Sequence, residues 1–572
     1  MKMAQYQEYK NLNLSDTAKE ILQFWEENDI FDKTMKNREG NKPFVFYEGP
    51  PSANGVPGIH HVMARAIKDI VCRYQTLKGK YVSRKAGWDT HGLPVEIGVE
   101  KSLGITKEDI GTKISVEDYN KACRTEVMKY KDLWDDLTKK MGYWVDLEDP
   151  YITFDNKYIE TVWHLLSKLN EKGLIYKGYT IQPFSPAAGT GLSTHELNQP
   201  GCYRDVKDST LTAQFKVVRN AVSEKLFKNA FGEVFFLAWT TTPWTLPSNT
   251  ALAVGKKIDY KIVNTFNPYT FEKVTVVLAE KLLPKFFPEK NAELKIEDYE
   301  AGQKAIPYEI VGELKGKNLD GISYEQLMPY AQPEEGDAFR VILGDFVTTE
   351  DGTGIVHIAP SFGADDFKVA AQNGIGSLTM VEKTGRFNEQ MGEFAGRFVK
   401  AEYYADEDPL RNQPVDVDII VKLKNENRAF KAEKHTHSYP HCWRTDKPIL
   451  YYPLDSWFIK TTAMKDKMIE LNKTINWKPA ATGTGRFGNW LENLVDWNLS
   501  RSRFWGIPLP IWRSEESGEQ IFVASAEQLK SEIEKSVAAG VMDENPLANF
   551  VPGDMTQENY ETFDFHRPYV DK

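Results

Sequence analysis

The sequence predicts an α/β fold in which a nucleotide-binding region is interrupted by an inserted β-rich domain. Three observations lead to this prediction. A β-rich run at residues 44–47 passes through a Gly/Pro loop into a helical pattern that Gly79 can end, as in a βα nucleotide-binding motif. Strand-like runs dominate from about residue 181 to residue 405. Beyond them come a basic, helical stretch and a run rich in Trp, Arg and Pro.

The helical patterns follow in chain order. Near the N-terminus, Ser15 or Thr17 is a candidate N-cap of an amphipathic helix with a buried stripe of Ile21, Leu22 and Trp25. The helix after the Gly/Pro loop is predicted from apolar residues at helical spacing, namely Met63, Ala66, Ile67, Ile70, Tyr74 and Leu77. A further helix is predicted between Asp155 and Gly173, and residues 421–434 also favour a helix.

We expect three segments in the 572 residues. Residues 1–190 hold the N-terminal helix and the first half of the nucleotide-binding region, and residues 191–410 form the inserted domain. Residues 411–572 connect back to the first region. The net charge of −11 gives no global basic field, so a nucleic-acid partner would have to use local patches.

Compartment is predicted from cysteines and hydropathy. The four cysteines are scattered without a CxxC pair, which favours a reducing cytoplasm. The first 14 residues lack an apolar signal segment, and no uncharged apolar run reaches the roughly 18 residues of a membrane span. We therefore expect a cytoplasmic protein that does not enter a membrane.

Two adjacent histidines, His60 and His61, stand where the Gly/Pro loop enters the predicted helix. A helix N-terminus offers free backbone N–H groups and a partial positive charge, so it suits a phosphate. The histidines could donate hydrogen bonds to phosphate oxygens as charge builds up during attack on an α-phosphate. The alternative is that they only cap the helix.

Several segments resemble the class I aminoacyl-tRNA synthetases, in particular their isoleucyl group. They are FYEGPPSANG, KDI, GWDTHGLPVE and DWNLSRSRFWGIPLPIW, in the family's order and spacing, and the likeness extends over essentially the whole chain. The resemblance implies a Rossmann-like catalytic domain interrupted by an inserted editing (CP1) domain. It also implies ATP-dependent activation of L-isoleucine with Mg²⁺, transfer to tRNA(Ile), and hydrolytic editing of Val-tRNA(Ile).

One signature departs from the family pattern. The family's His-x-Gly-His falls on Gly58, Ile59, His60 and His61, so the first His and the Gly have exchanged places. The resemblance places ATP on these four residues and gives His60 and His61 the catalytic contacts with phosphate. We hypothesise that His60 reaches the phosphates from the position next to its usual place, and that the change weakens inhibitors that mimic the aminoacyl-adenylate.

The resemblance also assigns the isoleucine site. Gly49 and Pro50 would line the side-chain pocket, and the Asp89 carboxylate would hold the substrate ammonium. Asp89 could otherwise be an N-cap or a turn aspartate.

Two segments of the inserted region match the family's editing site. The first ends a strand with Thr240, Thr241 and Thr242, whose hydroxyl and N–H groups could bind the ester or the terminal ribose, although a threonine run is also simply a β-former. The second places His357 at a wall and Asp366 where the family anchors the α-ammonium; Asp365 and Asp366 could instead be first-turn carboxylates of a helix. The implied chemistry is attack of water on an aminoacyl ester without a protein nucleophile.

Metal ligands are too few for a structural zinc site. The segment HSYPHCWRTDKP keeps Cys442 but has Thr445 in place of a second cysteine, so we expect no metal in this chain even though three histidines stand nearby.

No KMSKS-like lysine signature occurs in the sequence, so we expect the N-terminal part of a longer synthetase, with a monomer as the family expectation. The alternatives are a stand-alone tRNA editing hydrolase or tRNA-binding module, a valyl- or leucyl-type synthetase, and a nucleotidylyltransferase. The basic run from Lys422 to Lys434 is a candidate contact for the acceptor stem or a solvated face.

Overall fold

The computed structural model describes residues 11–570, with only the backbone of Thr194 and His195. It divides the chain into two compact units: unit 1 runs up to Leu174 and resumes at Arg503, and unit 2 is Ile175–Ser502. The three predicted segments stay predictions, and the units begin and end at other residues. Most of the first 14 residues, for which no signal segment is predicted, lie outside the described residues.

The first part of unit 1 is mostly helical. Its elements are α1 (Leu14–Glu27), α2 (Ile30–Lys36), α3 (Ile59–Leu77), β1 (Lys85–Trp88), α4 (Leu93–Leu103), α5 (Val116–Val127), α6 (Lys131–Lys140), β2 (Asp146–Ile152) and α7 (Asn156–Glu171). The strands β1 and β2 pair in parallel. Helix α7 matches its predicted bounds, with Asp155 at the N-cap position and Gly173 in a left-handed conformation after the helix.

Two local predictions in this part are wrong. Asn13, rather than Ser15 or Thr17, caps α1 by accepting hydrogen bonds from two N–H groups of the first turn, and no residue of the helix is fully buried. Residues 44–47 form no strand, because the extended segment pairs with its neighbour only through the bridge between Pro43 and Tyr81.

Helix α3 confirms the predicted helix but not the expected role of its apolar stripe. The buried residues of the helix are Arg65, Cys72 and Thr76. The apolar side chains at helical spacing face solvent, with exposed fractions from 56% at Tyr74 to 82% at Leu77. Nothing among residues 11–570 covers this face.

Unit 2 is dominated by strands. Its elements are β3 (Ile175–Ser185), β4 (Thr190–Gly191), α8 (Thr194–Leu197), β5 (Tyr203–Lys216), α9 (Glu224–Phe227), β6 (Glu233–Thr240), β7 (Ala251–Val254), β8 (Asp259–Phe266), β9 (Lys273–Ala279), α10 (Leu283–Phe286), β10 (Glu309–Lys315), β11 (Arg340–Leu343), β12 (Ile355–Ile358), α11 (Ala364–Gln372), α12 (Val415–Asn425), β13 (Ala429–Pro440), β14 (Leu450–Ile459), α13 (Lys465–Asn472), α14 (Ala480–Thr484), α15 (Arg486–Glu492) and β15 (Trp497–Asn498).

The strands of unit 2 form two sheets among the described residues. Strands β5 to β13 make a nine-stranded mixed sheet, in which β6 lies between β9 and β12 and also pairs with β5. A smaller sheet has the order β15-β14-β3-β4. The prediction of a β-rich inserted region is confirmed.

The predicted helix over residues 421–434 is only half right. Helix α12 ends at Asn425, and the chain then enters strand β13 at Ala429. Asn427 between them has a φ of 53°, which lies in the left-handed region and ends the helix. Pairing of β13 with β5 then decides the conformation of the basic residues that follow.

The second part of unit 1 contains the hairpin of β16 (Ile511–Arg513) and β17 (Gln520–Phe522), then α16 (Ala526–Ala538) and α17 (Gln557–Tyr560). It is tied to α4 by a buried ion pair between Arg503 and Glu96, which also accepts the N–H groups of Phe504 and Trp505. Within residues 11–570, no helix combines the length and the apolar character that a membrane span needs.

Candidate functional sites

The start of α3 in unit 1 is organised by His61. Gly58 is the N-cap residue, and its N–H donates to Nδ1 of His61 over 2.9 Å. Because Nδ1 accepts this bond, a neutral His61 carries its proton on Nε2, which remains a donor. Desolvation and the positive charges of His60 and Arg65 lower the pKa of His61, which favours this neutral donor form.

His60 occupies the space that a side chain at position 58 would need. A Cβ atom added to Gly58 would lie 2.9 Å from Cε1 and 3.0 Å from Nδ1 of His60. The rings of His60 and His61 are 3.8 Å apart between centroids. In this conformation, therefore, the imidazole of His60 lies beside position 58.

A cavity of about 370 Å³ opens beside this helix start. Gly49 and His61 line it, whereas Pro50, Gly58, Ile59, His60 and Asp89 do not. Lining residues that the sequence reasoning missed include Glu48, Lys68 and Trp134. Lys68 and Tyr143 both donate to the Glu48 carboxylate, and Trp134 donates from Nε1 to the carbonyl of Gly55.

The turn that carries Asp89 is held from several sides. The Asp89 N–H donates to the carbonyl of Pro51 over 2.9 Å, and Trp505 donates from Nε1 to the carbonyl of Thr90 over 2.6 Å. Nε2 of His91 lies 2.8 Å from Nε2 of His566. Loss of hydration raises the pKa of Asp89, although a hydrogen bond from the backbone of His91 opposes the rise. Asp89 is not an N-cap, since α4 begins after Gly92.

A second cavity, of about 420 Å³, lies within unit 2. It brings together every residue predicted for hydrolysis, which are Thr240, Thr241, Thr242, His357 and Asp366. Residues from β6, β12 and the start of α11 therefore converge on one polar depression, although 117 positions separate Thr240 from His357 in sequence.

One wall of this cavity is a threonine turn, defined here as residues 240–245. After β6, the chain enters a 3₁₀ helix at Pro243–Ser248. The Thr242 N–H donates to Oγ1 of Thr240 over 3.1 Å, and the Thr245 hydroxyl donates to the carbonyl of Thr242 over 2.8 Å. The hydroxyls thus first fix the turn itself.

His357 is locked by a chain of buried hydrogen bonds. The Asn249 side chain donates from Nδ2 to Nδ1 of His357 over 3.2 Å, so the neutral ring carries its proton on Nε2 and donates it to Oγ1 of Thr245 over 2.9 Å. Asn249 is in turn held by the hydroxyl of Tyr324 at 2.7 Å. Burial lowers the pKa of His357 to about 4. Because Asn249 occupies Nδ1 and burial disfavours the charged ring, His357 is a neutral wall of the cavity and a weak base.

Asp366 lies in the first turn of α11 and lines the same cavity. Its Oδ2 accepts a hydrogen bond of 2.9 Å from the N–H of Ala359, which leaves Oδ1 for a ligand. Burial raises the pKa of Asp366 to about 6, and the neighbouring Asp365 adds to the rise. A buried carboxylate with a raised pKa gains most from a cation, so an ammonium group suits this position.

The residues missed in unit 2 are Thr245 and Asn249. Both stand in the same segment as the threonines, AWTTTPWTLPSN, so the signal was present in the sequence. Their role became visible only when the fold placed His357 between them.

The basic run is largely occupied by contacts within the protein. Lys422 pairs with Glu393 and Glu426, Lys431 pairs with Glu433, and Arg428 donates to backbone carbonyls. This favours the solvated face over the acceptor-stem contact. Within residues 11–570, no group of three or more His, Cys, Asp and Glu side chains is arranged to hold a metal ion.

Similarity to known protein families identifies the class of protein to which this chain belongs. A family described as tRNA synthetases class I (I, L, M and V) matches residues 20–565. The chain belongs to this family, and its fold is that of the mixed α/β class I synthetases.

Curated relatives narrow the comparison. A protein of Bacteroides fragilis named isoleucine–tRNA ligase is 60% identical over 99% of this chain and 52% of its own length. Proteins of the same name from Porphyromonas gingivalis and Cytophaga hutchinsonii are 59% and 60% identical, over 99% and 98% of this chain and 52% and 50% of their own lengths. The chain thus spans about half the length of the curated relatives it matches.

Proposed function

We propose that this chain serves an isoleucine–tRNA ligase, and that the cavity of unit 2 removes valine wrongly attached to tRNA(Ile). The observation that carries the proposal is the convergence of the threonine turn, His357 and Asp366 on one cavity. The names of the relatives support the choice of isoleucine.

The chemistry assigned to the cavity is hydrolysis of an ester. The Asp366 carboxylate holds the α-ammonium through Oδ1, while the threonine turn supplies hydroxyl and N–H groups toward the ester carbonyl or the terminal ribose. A water molecule adds to the carbonyl carbon, the bond from carbon to the ribose oxygen breaks, and the leaving oxygen takes a proton. No protein nucleophile is needed, and a neutral His357 does not act as the base.

The need for such a site follows from the substrate pair. Isoleucine and valine, the standard case of this problem, differ by one methylene, which burial values at about 0.8 kcal/mol and a pocket discriminates by roughly 1–3 kcal/mol. A second cavity that accepts valine and excludes isoleucine multiplies the selection.

The helix start of unit 1 is assigned to ATP and L-isoleucine. His61 donates from Nε2 toward a phosphate, and His60 approaches from the space beside Gly58. Gly49 and Pro50 border the amino-acid side chain, and Asp89 receives its ammonium. Mg²⁺ would accompany ATP and would neutralise part of the negative charge of its phosphates. A monomeric state and a cytoplasmic location remain predictions.

The proposal is tested by deacylation of Val-tRNA(Ile) and Ile-tRNA(Ile) by this chain. We expect hydrolysis of the valyl ester and at least tenfold slower hydrolysis of the isoleucyl ester. Asp366→Ala should abolish the valyl activity, because the ammonium loses its counter-charge. Asp365→Ala is the matched control, since this exposed neighbour does not line the cavity.

Equal hydrolysis of both esters would contradict the isoleucyl assignment and return the valyl- or leucyl-type alternatives. Valyl hydrolysis that survives Asp366→Ala would contradict the assigned site. Binding of tRNA without hydrolysis of either ester would favour the tRNA-binding module.

A further inference from the structure

The threonine turn has a second point of attachment, separate from the hydrogen bonds around His357. The N–H of Trp244, within the turn, donates to Oδ1 of Asp416 over 2.8 Å. Asp416 lies in the first turn of α12, 172 positions further along the chain. The sequence reasoning gave Asp416 no role.

Contacts of the turn show why this attachment matters. Thr245 follows Trp244 directly and holds Nε2 of His357. The indole of Trp244 packs edge-on against Phe362 at 5.1 Å between centroids, and Phe362 also lines the cavity. A displacement of the Trp244 backbone would therefore move the hydroxyl wall and the apolar wall of the cavity together.

Asp416 is itself part of a buried charged cluster. Its exposed fraction is 7%, and the charge of Lys400 acts on it. Lys400 is also buried, pairs with Asp208 at 3.0 Å, and lies 4.2 Å from the ring centroid of Tyr439. His437 contacts the same Asp208 oxygen at 3.2 Å.

Lys400 and Trp244 favour the ionised form of Asp416, which burial alone disfavours. Burial raises the pKa of Asp416 to about 7, while the charge of Lys400 and the hydrogen bond from Trp244 oppose the rise. Lys400 keeps its ion pair with Asp208 when the charge of Asp416 is removed, so the attachment of the turn to α12 rests on the hydrogen bond from Trp244.

We propose that Asp416 is a positioning residue of the hydrolytic cavity, which holds the threonine turn in its productive geometry through the N–H of Trp244. The inference rests on the proposed hydrolytic function. Asp416 touches neither the cavity nor the substrate, and it acts through Trp244 and Thr245.

The experiment compares Asp416→Ala and Asp416→Asn in deacylation of Val-tRNA(Ile). Asp416→Ala removes the acceptor, and we expect kcat to fall about tenfold with KM changed less than twofold, because Asp366 still holds the ammonium. Asp416→Asn keeps an acceptor oxygen for Trp244, and we expect it to restore kcat to within threefold of the original chain. Asp418→Asn is the matched control, a partly exposed aspartate of the same helix turn that pairs with Arg397.

Amide hydrogen exchange of residues 242–246 supplies a readout that does not depend on activity. We expect faster exchange in Asp416→Ala than in Asp416→Asn, with the strands of the large sheet unchanged. General loss of protection throughout unit 2 would instead mark a merely structural role and overturn the inference.

Other outcomes separate the inference from the proposed function. An unchanged kcat in Asp416→Ala, or an Asn variant as slow as the Ala variant, would overturn the role of the acceptor. If the original chain hydrolyses neither ester, the proposed function fails, and unchanged exchange of residues 242–246 in Asp416→Ala would then overturn the attachment as well.

Discussion

The region at the start of α3 and the cavity of unit 2 differ in how firmly the polar groups predicted for each site are held. Of the side chains predicted to act near the start of α3, His60 and Asp89 are exposed, whereas His61 is fixed by a hydrogen bond from the N–H of Gly58. In the cavity of unit 2, by contrast, both ring nitrogens of His357 are engaged and Asp366 is anchored by a backbone N–H.

Within the described residues, the difference shows which region holds its polar groups in place before a ligand binds. In unit 2, the ring of His357 and one oxygen of Asp366 already have hydrogen-bond partners, so these groups are preorganised before a substrate arrives. The apolar face of α3, by contrast, is open to solvent over residues such as Ile67 and Leu77. Among the described residues, preorganisation is therefore more evident in the cavity of unit 2 than at the start of α3.

The largest effect is expected from Asp366→Asn in the cavity of unit 2. The substitution should remove deacylation activity and increase folding stability. A carboxyl pKa raised to about 6 means that, between about pH 4 and pH 6, the folded protein keeps a proton that the unfolded chain, with its ordinary carboxyl pKa of 3.8, has lost. Stability therefore falls as pH rises from about 4 to about 6, and above that range the ionised carboxyl costs up to roughly 3 kcal/mol. We expect the variant to lose deacylation and to gain stability at pH 8.

The measurement is native-state hydrogen exchange of α11 at pH 8 and pH 4. The advantage of Asp366→Asn over the original chain should shrink by up to about 3 kcal/mol at the lower pH. Asp365→Asn should show a much smaller change with pH, because Asp365 only adds to the rise in the pKa of Asp366 that burial causes. A difference that stays constant with pH would show that Asp366 is not held in a costly ionised state, and would remove half of the contrast between the cavities.

A smaller effect is expected from His60→Gly at the loosely held end. If His60 serves ATP from the space beside Gly58, its removal should weaken ATP binding by this chain about tenfold, which corresponds to about 1.4 kcal/mol. Isothermal titration with ATP measures the change. His164→Gly is the control for a glycine placed in a helix, since His164 lies in α7 and does not line the cavity. Equal affinities of His60→Gly and the original chain would make the histidine pair a helix cap only.

The sequence predicted those features that depend on neighbouring residues. The ends of α3 and α7 were predictable because glycine follows each helix, and the threonine segment was predictable from its motif. The wrong N-cap of α1 was a local error, since Asn13 caps the helix two residues before Ser15, but the other failures depend on distant contacts. The strand at Ala429–Pro440 exists because β5 pairs with it, and Asp416 has meaning only beside Trp244. Local patterning also could not show which face of α3 would be covered.

The smallest effect is expected from Lys434 on strand β13. This prediction tests whether tRNA binding by unit 2 depends on basic surface residues as well as on the cavity. Lys434 already donates to Oγ of Ser209 on the neighbouring strand over 2.7 Å, and other cations of the run are paired with acids. We expect Lys434→Gln to change KM for Val-tRNA(Ile) less than twofold, because an exposed lysine that is no phosphate contact adds little. The dependence of KM on salt should keep its slope, whereas loss of one phosphate contact lowers such a slope by about one. Lys290→Gln, on another part of unit 2, is the control. A KM raised fivefold with a reduced slope would place the acceptor stem on this strand, and tRNA affinity would then depend on a surface that the cavity geometry does not reveal.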